Sequence, residues 1–273
     1  MRLLILGGNG RLGREIQSHE LPPDIVAEFA VSPNDPDPAR VTVDVTDQDA
    51  VHRAIAGFHP DVVLHLASIT GPAADAAPDR AEAVNAESLR HVSRAAAAEG
   101  VSRVVLVSSS SVYGDRYGEP VQEDGLLDPV SVYARSKLRG EEELASGAGP
   151  FDAVILRIFN IYGPRFENSL VTRLLRSSAE GPVPLRDLDG FVRDYIHASD
   201  VVAAILASVR APRAEDVSIY NIGSGVATSN RRLVQTLERH APILFTEIGG
   251  VQSYSCANVD RARRDLGLTA RPL

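Results

Sequence analysis

Five short apolar runs, at 2–6, 25–31, 61–66, 103–108 and 153–159, leave this chain few architectures. Each is close to continuously hydrophobic rather than alternating, as a strand covered on both faces must be. Helical stretches fill the gaps: 11–19, 47–57, an alanine-rich 79–100 that stops at a glycine, and 130–144, for which Asp128-Pro129 offers a start. Strand and helix in strict rotation need crossover connections. The reading is therefore α/β, a parallel, doubly wound sheet with helices on both faces. The rotation weakens after about residue 163, where segments such as Pro164-Arg165-Phe166-Glu167-Asn168 and Gly181-Pro182-Val183-Pro184 set in. This divides the chain into 1–164, the sheet domain, and 165–273, a small C-terminal region expected mainly to bind substrate, with parts returning to the sheet. Residues 33–38 read as a loop rich in proline and aspartate, and no internal repeat is present.

The first run leads straight into Gly7-Gly8-Asn9-Gly10-Arg11-Leu12-Gly13, whose glycines have the GxxGxxG spacing. After a strand and before a helix, such a turn lets backbone approach a pyrophosphate, and the helix N-terminus favours its charge. A dinucleotide-binding, Rossmann-type domain is expected, with Gly7, Gly10, Arg11, Leu12 and Gly13 at the cofactor; a plain tight turn is the competing reading. An acidic residue near the end of the second strand commonly holds the adenosine ribose. Here that place falls at Val31-Ser32, and Asp35 lies beyond it in the loop, so NAD against NADP stays open.

The formal net charge of −8 argues against nucleic acid and acidic membrane surfaces as partners, so an anionic ligand needs a local basic pocket. Cys256 is the only cysteine, which excludes an internal disulfide and a cysteine metal cluster, and the seven histidines show no metal-ligand spacing. No metal is expected. No apolar run approaches the ~18 residues of a membrane span, and the opening segment reaches Gly7 too soon for a signal peptide. A cytoplasmic protein is expected.

Tyr133-Ala134-Arg135-Ser136-Lys137 places a phenol and an ammonium at i and i+4, on one helix face. A nearby ammonium favours phenolate, so Lys137 would draw the Tyr133 pKa toward working pH and fit it for acid–base work. Upstream, Val105-Leu106-Val107-Ser108-Ser109-Ser110-Ser111-Val112-Tyr113-Gly114 is a buried strand ending in hydroxyls, at the edge where ligands bind such sheets. Alone, YxxxK is common on solvated helices and a serine run is common in turns. Each gains weight from the other.

With these phrases in place, the chain resembles the extended short-chain dehydrogenase/reductase family, the NAD-dependent epimerase/dehydratase group. The resemblance runs, in order, through glycines 7, 10 and 13, Asp44-Val45, His65-Leu66-Ala67, 108–114, 133–137, Arg157-Ile158-Phe159-Asn160-Ile161-Tyr162-Gly163-Pro164, Arg193-Asp194-Tyr195-Ile196-His197 and Tyr220-Asn221-Ile222-Gly223. It spans nearly the whole chain. It implies that Ser109, Tyr133 and Lys137 are catalytic, with Tyr133 and Lys137 also at the cofactor. Leu66, Ala67 and Ser68 would lie along the cofactor, and Asp44 and Val45 at its adenine, where a helix cap is the competing reading of Asp44. Asn85 would be structural or on the cofactor side. Ser109, Asn160 and Arg193 would meet the substrate, a nucleotide-diphosphate sugar, Arg193 through a guanidinium fork suited to phosphate. A surface ion pair with Asp194 is the alternative for Arg193, and His65 and His197 are expected to be structural. The implied cofactor is NAD, with NADP not excluded, and a homodimer is expected.

Members of this group that are 4,6-dehydratases resemble one another in a Thr/Ser-Asp-Glu phrase at the catalytic strand end, whose carboxyls help eliminate water. This chain has Ser109-Ser110-Ser111 there, so that reaction is not expected. What remains is hydride chemistry at one carbinol, which needs only the serine, tyrosine and lysine. The expected reaction is epimerisation at C4 of a nucleotide-linked hexose, with NAD(P)H-dependent reduction of a nucleotide-4-ketosugar as the alternative. A non-catalytic dinucleotide-binding regulator would be favoured by loss of Ser109, Tyr133 or Lys137, and all three are intact. Residues 260–268 resemble the family's closing segment, and relatives usually continue into another helix after it. A lean substrate region is expected, its lid open or completed by a partner subunit.

Overall fold

The structure, a computed structural model, describes residues 1–35, 37 and 40–273, so Pro36 and Pro38 of the expected loop lie outside the described residues. In chain order, β1 (Arg2–Leu6), α1 (Arg11–Gln17), β2 (Val26–Ala30), α2 (Gln48–Phe58) and β3 (Val62–His65) come first. Two single-turn helices, α3 (Pro72–Ala76) and α4 (Pro78–Glu82), then lead through a wide π-type turn (Ala83–Glu87) into α5 (Ser88–Glu99). After β4 (Arg103–Ser109) come α6 (Val132–Gly147) and β5 (Asp152–Ile158). The remainder holds β6 (Asn160–Tyr162), α7 (Leu170–Glu180), β7 (Val183–Arg186), β8 (Phe191–Arg193), β9 (Tyr195–His197), α8 (Ala198–Arg210), β10 (Val217–Ile222), β11 (Thr228–Ser229), α9 (Asn230–Leu237), β12 (Phe245–Ile248), β13 (Ser253–Ser255) and α10 (Asp260–Leu266).

All five expected strands join one six-stranded sheet in the order β2-β1-β3-β4-β5-β10, and every neighbouring pair is parallel. The sixth strand comes from beyond residue 164 and pairs with β5 from Val217 against Ala153 to Ile222 against Ile158. Successive side chains of a strand point to opposite faces, and the burial follows that rule. Leu3 and Ile5 pack with Ile16 of α1 and with Val201 and Ile205 of α8. Leu4 and Leu6 pack with Val51 and Ile55 of α2 and with Leu89 and Val92 of α5. Helices thus cover both faces, which is why the strand sequences are apolar throughout. A third core, around Leu174, Leu185 and Leu233, belongs to the later part of the chain. Among the described residues, no helix is long and apolar enough to cross a membrane, and no cluster of metal-ligating side chains occurs.

Two helices differ from their expected form. The helix expected at 130–144 starts at Val132, where the Ser131 hydroxyl accepts from the Ala134 N–H, and runs on to Gly147; Asp128-Pro129 lies before the cap. The stretch 79–100 is not one helix, because the Ala83–Glu87 turn widens it around Asn85. Asn85 is fully buried. Its amide donates to the Ile69 carbonyl and the Ser136 hydroxyl, and its oxygen accepts from Ser68 and from the Ile69 N–H. Gly140 of α6 makes this possible: a Cβ there would stand 2.2 Å from the Asn85 carbonyl oxygen.

Candidate active site

In the sheet order, β1 stands between β2 and β3, so the direction of winding reverses at its carboxyl end. Ligands of such sheets bind at that reversal. A cleft of about 970 Å³ opens there, with the glycine turn, Leu66, Ser68, Ser109, Tyr133 and Lys137 on one side and Asn160 and 164–169 on the other.

The three glycines of the GxxGxxG spacing have separate tasks. Gly7 has φ +88°, and a Cβ on it would lie 2.6 Å from the Ala67 nitrogen. A Cβ on Gly13 would lie 2.5 Å from the Gly8 carbonyl oxygen. Both are needed for close packing of backbone on backbone. Gly10 is exposed, and a Cβ there would meet only the Gly7 carbonyl oxygen, at 3.3 Å. Its bare backbone faces the cleft, so the residues present fit a dinucleotide pyrophosphate. Asn9 is a contributor that the glycine spacing does not reveal. Its amide nitrogen donates to the Ser32 hydroxyl at 3.1 Å, and its oxygen accepts from the Ser32 N–H at 3.4 Å, fixing the end of β2. A polar residue inside the glycine turn was the available signal.

Ser109 ends β4, and its hydroxyl accepts from the Ser111 N–H at 3.2 Å. Tyr133 and Lys137 rise from the first turns of α6 into the same cleft. Burial pushes the Tyr133 phenol up in pKa, while the Ser109 hydroxyl, the Arg11 guanidinium and the Ser68 hydroxyl pull it back. Lys137 is 1% exposed, and its ammonium donates to the Val107 carbonyl at 2.6 Å. Burial draws its pKa down to about 8, against the opposing charge of Glu141. Glu141 is in turn held by the Arg157 guanidinium at 2.7 Å and by the Ser108 hydroxyl. Arg157 also donates to the Tyr113 hydroxyl at 2.7 Å, a buried network beneath the site that short motifs do not disclose.

Asn160 donates its amide to the Asp194 carbonyl at 3.0 Å and lines both this cleft and an adjoining cavity of about 410 Å³. Arg193 belongs to that second cavity. Its guanidinium lies 3.8 Å over the Phe191 ring and donates to the Val192 and Ser253 carbonyls and the Ser253 hydroxyl, with Asp115 at 3.6 Å. The alternative pairing with Asp194 does not occur. Asp194 is fully buried and accepts from Ser224, Gly225 and Ala257.

Not every expected contact lies on the cleft. Ala67 packs under Gly7, Val45 is in the core, and Asp44 is exposed, accepting from the Thr46 N–H and hydroxyl. Asp44 is not a helix cap either, because Asp47 caps α2. His65 is buried against the Ser88 hydroxyl, and His197 caps α8, so both are structural.

The architecture and the residues at its carboxyl edge are those of the extended short-chain dehydrogenase/reductase class. Comparison with known proteins narrows this. The chain belongs to the NAD dependent epimerase/dehydratase family, whose sequence pattern matches residues 3–223. It is 28% identical to a UDP-glucose 4-epimerase of Azospirillum brasilense, over 97% of this chain and 86% of that protein. It is 33% identical to a dTDP-4-dehydrorhamnose reductase of Sinorhizobium fredii, over 64% of this chain and 55% of that protein. Among solved structures, it superimposes with a TM-score of 0.87 on a UDP-glucose-4-epimerase from Stenotrophomonas maltophila with bound NAD and formylated UDP-arabinopyranose, at 25% identity over 100% of this chain and 94% of that one. The family's cofactor is NAD.

Proposed function

We propose that this chain catalyses NAD-dependent oxidoreduction at C4 of a nucleotide-linked hexose, with epimerisation as the net reaction. The observation that carries the reading is the shared placement of Ser109, Tyr133 and Lys137 in one cleft that adjoins, through Asn160, the cavity holding Arg193. In this reading residues 1–164 hold the cofactor and 165–273 mainly the nucleotide sugar. Bound NAD would supply the hydride acceptor and donor for this chemistry. Tyr133 accepts the proton of the sugar hydroxyl as the carbonyl forms and gives it back on reduction. Ser109 donates a hydrogen bond to the same oxygen, and Lys137 orients the cofactor ribose. Ser110 and Ser111 offer no carboxyl for the elimination of water.

Steady-state kinetics of Tyr133→Phe on a panel of nucleotide sugars test this reading. Turnover should fall by ~10²–10⁴-fold with substrate binding nearly intact, and full turnover would sink the mechanism. Likeness to a reductase supports the second reading, reduction of a nucleotide-4-ketosugar. Mass spectrometry of gently purified protein separates the two. Retained NAD favours epimerisation, and an empty site with preference for NADPH favours reduction.

A further inference from the structure

We infer that Ser253 is a positioning residue for Arg193: it grips the end of the guanidinium and leaves one two-donor side of the fork for a single phosphate group. The phosphate half of this inference rests on reading the Arg193 cavity as the nucleotide-sugar site; the grip does not. Arg193 ends β8 and Ser253 opens β13, and these strands run parallel with Ser253 opposite Phe191. Both acceptors of Ser253 are used. Its carbonyl accepts from Nη1 at 3.1 Å and its hydroxyl from Nη2 at 2.6 Å, while the Val192 carbonyl also accepts from Nη1, at 2.8 Å. The Ser253 hydroxyl donates in turn to the Asp115 carboxylate at 2.5 Å, so its lone pairs turn to the guanidinium. Asp115 is itself tied to β13, its carbonyl accepting from the Tyr254 N–H at 2.7 Å. The guanidinium lies 3.8 Å from the centre of the Phe191 ring, which covers one of its faces.

The donors that remain decide what Arg193 can bind. A guanidinium carries its N–H donors in a fixed planar fork. Its hydrogen bonds here leave only from Nη1 and Nη2, and the Nε–H donates to no acceptor among the described residues. With the end of the fork held by Ser253, the side stays free: the Nε–H together with the second Nη2–H. That pair matches two oxygens of one phosphate group. The cavity suits an anion, since Arg173 and Arg186 line it with Arg193 and no carboxylate does. The Asp115 carboxylate, 3.6 Å from Nη2, lies outside that lining. A long side chain that is already fixed has less freedom to lose when a ligand arrives, which favours binding.

The test pairs a ligand-free measurement with a binding one. In arginine side-chain NMR of the ligand-free protein, the Arg193 signal is assigned by its loss in Arg193→Ala. Exchange between its two Nη groups should speed up in Ser253→Ala and return toward the wild-type rate in Ser253→Thr. An unchanged rate in Ser253→Ala overturns the grip. Calorimetric titration with UDP and with dTDP, at saturating NAD, reads the consequence. Ser253→Ala should weaken the tighter-binding of the two by about tenfold, and Ser253→Thr should recover most of it. In the Arg193→Ala background, Ser253→Ala should cost nothing further. A second loss of similar size there means that Ser253 acts on the nucleotide or the fold directly, and overturns the proposal. If neither nucleotide binds, or Arg193→Ala binds both as the wild type does, the reading of the cavity fails and the phosphate half of the inference with it, while the NMR result still decides the grip.

Discussion

Of the three glycines with the GxxGxxG spacing, Gly7 and Gly13 are packed and Gly10 is open, which makes the turn separable by mutation. Gly10→Ala should keep the fold and weaken NAD by roughly tenfold or more, about 1.4 kcal/mol. Gly7→Ala should lose the fold itself, because its Cβ has no room and its φ is positive. Calorimetric titration beside a thermal melt distinguishes the two outcomes; equal loss of stability in both would mean that Gly10 is structural. Arg193→Ala should weaken a nucleotide sugar while sparing NAD, read by the same titration with each ligand, and equal loss of both would point to a folding role. At this scale the sequence was informative about side-chain types and poor about direction. Serine, tyrosine and lysine could be picked out by spacing. The turning of Lys137 to Val107 could not, because it depends on where β4 ends relative to α6.

Hydrogen bonds between the segments that carry the site converge on one side chain. Asn85 ties the Ser68–Ile69 segment to Ser136, one residue before Lys137. Asn85→Ala removes four hydrogen-bond partners from a closed interior and should cost about 2–4 kcal/mol. Urea denaturation measures this, and a change below about 0.5 kcal/mol would show that water takes over those bonds. The β-strands of the sheet were legible because each is covered on two faces and therefore apolar throughout. The π-type turn was not: an alanine-rich stretch has the same pattern whether its hydrogen bonds close over four residues or five. The later strands, two to six residues long, are too short for a period to show, and only β10 among them enters the main sheet.

The whole molecule responds to pH through a group outside the chemistry. Burial, and then the charge of Lys137, lower the His65 pKa to about 3. The unfolded chain, with an ordinary imidazole near 6.5, binds more protons than the native state between those values. Stability therefore rises with pH across that window, is fully present above about 6.5, and is lost as pH falls toward 3. The slope from one such group approaches ~1.4 kcal/mol per pH unit. His65→Gln should flatten the urea midpoint between about pH 6 and 4. An unchanged slope would assign acid sensitivity to the carboxylates instead. The doubly wound class was readable from strand and helix rotation, and a return of the later region to the sheet was expected; which strand returns, and against which edge, was not readable, since that is a contact between distant parts of the chain.

That late strand has a consequence for how the protein is made. β5 is buried along its whole length, and one of its edges is covered only when β10 arrives. A ribosome adding ~5–20 residues per second takes several seconds to travel from one strand to the other. Through that interval the nascent chain carries an apolar strand with a bare row of N–H and C=O groups. Translation that pauses or stops soon after residue 164 should therefore release a sticky product rather than a soluble half.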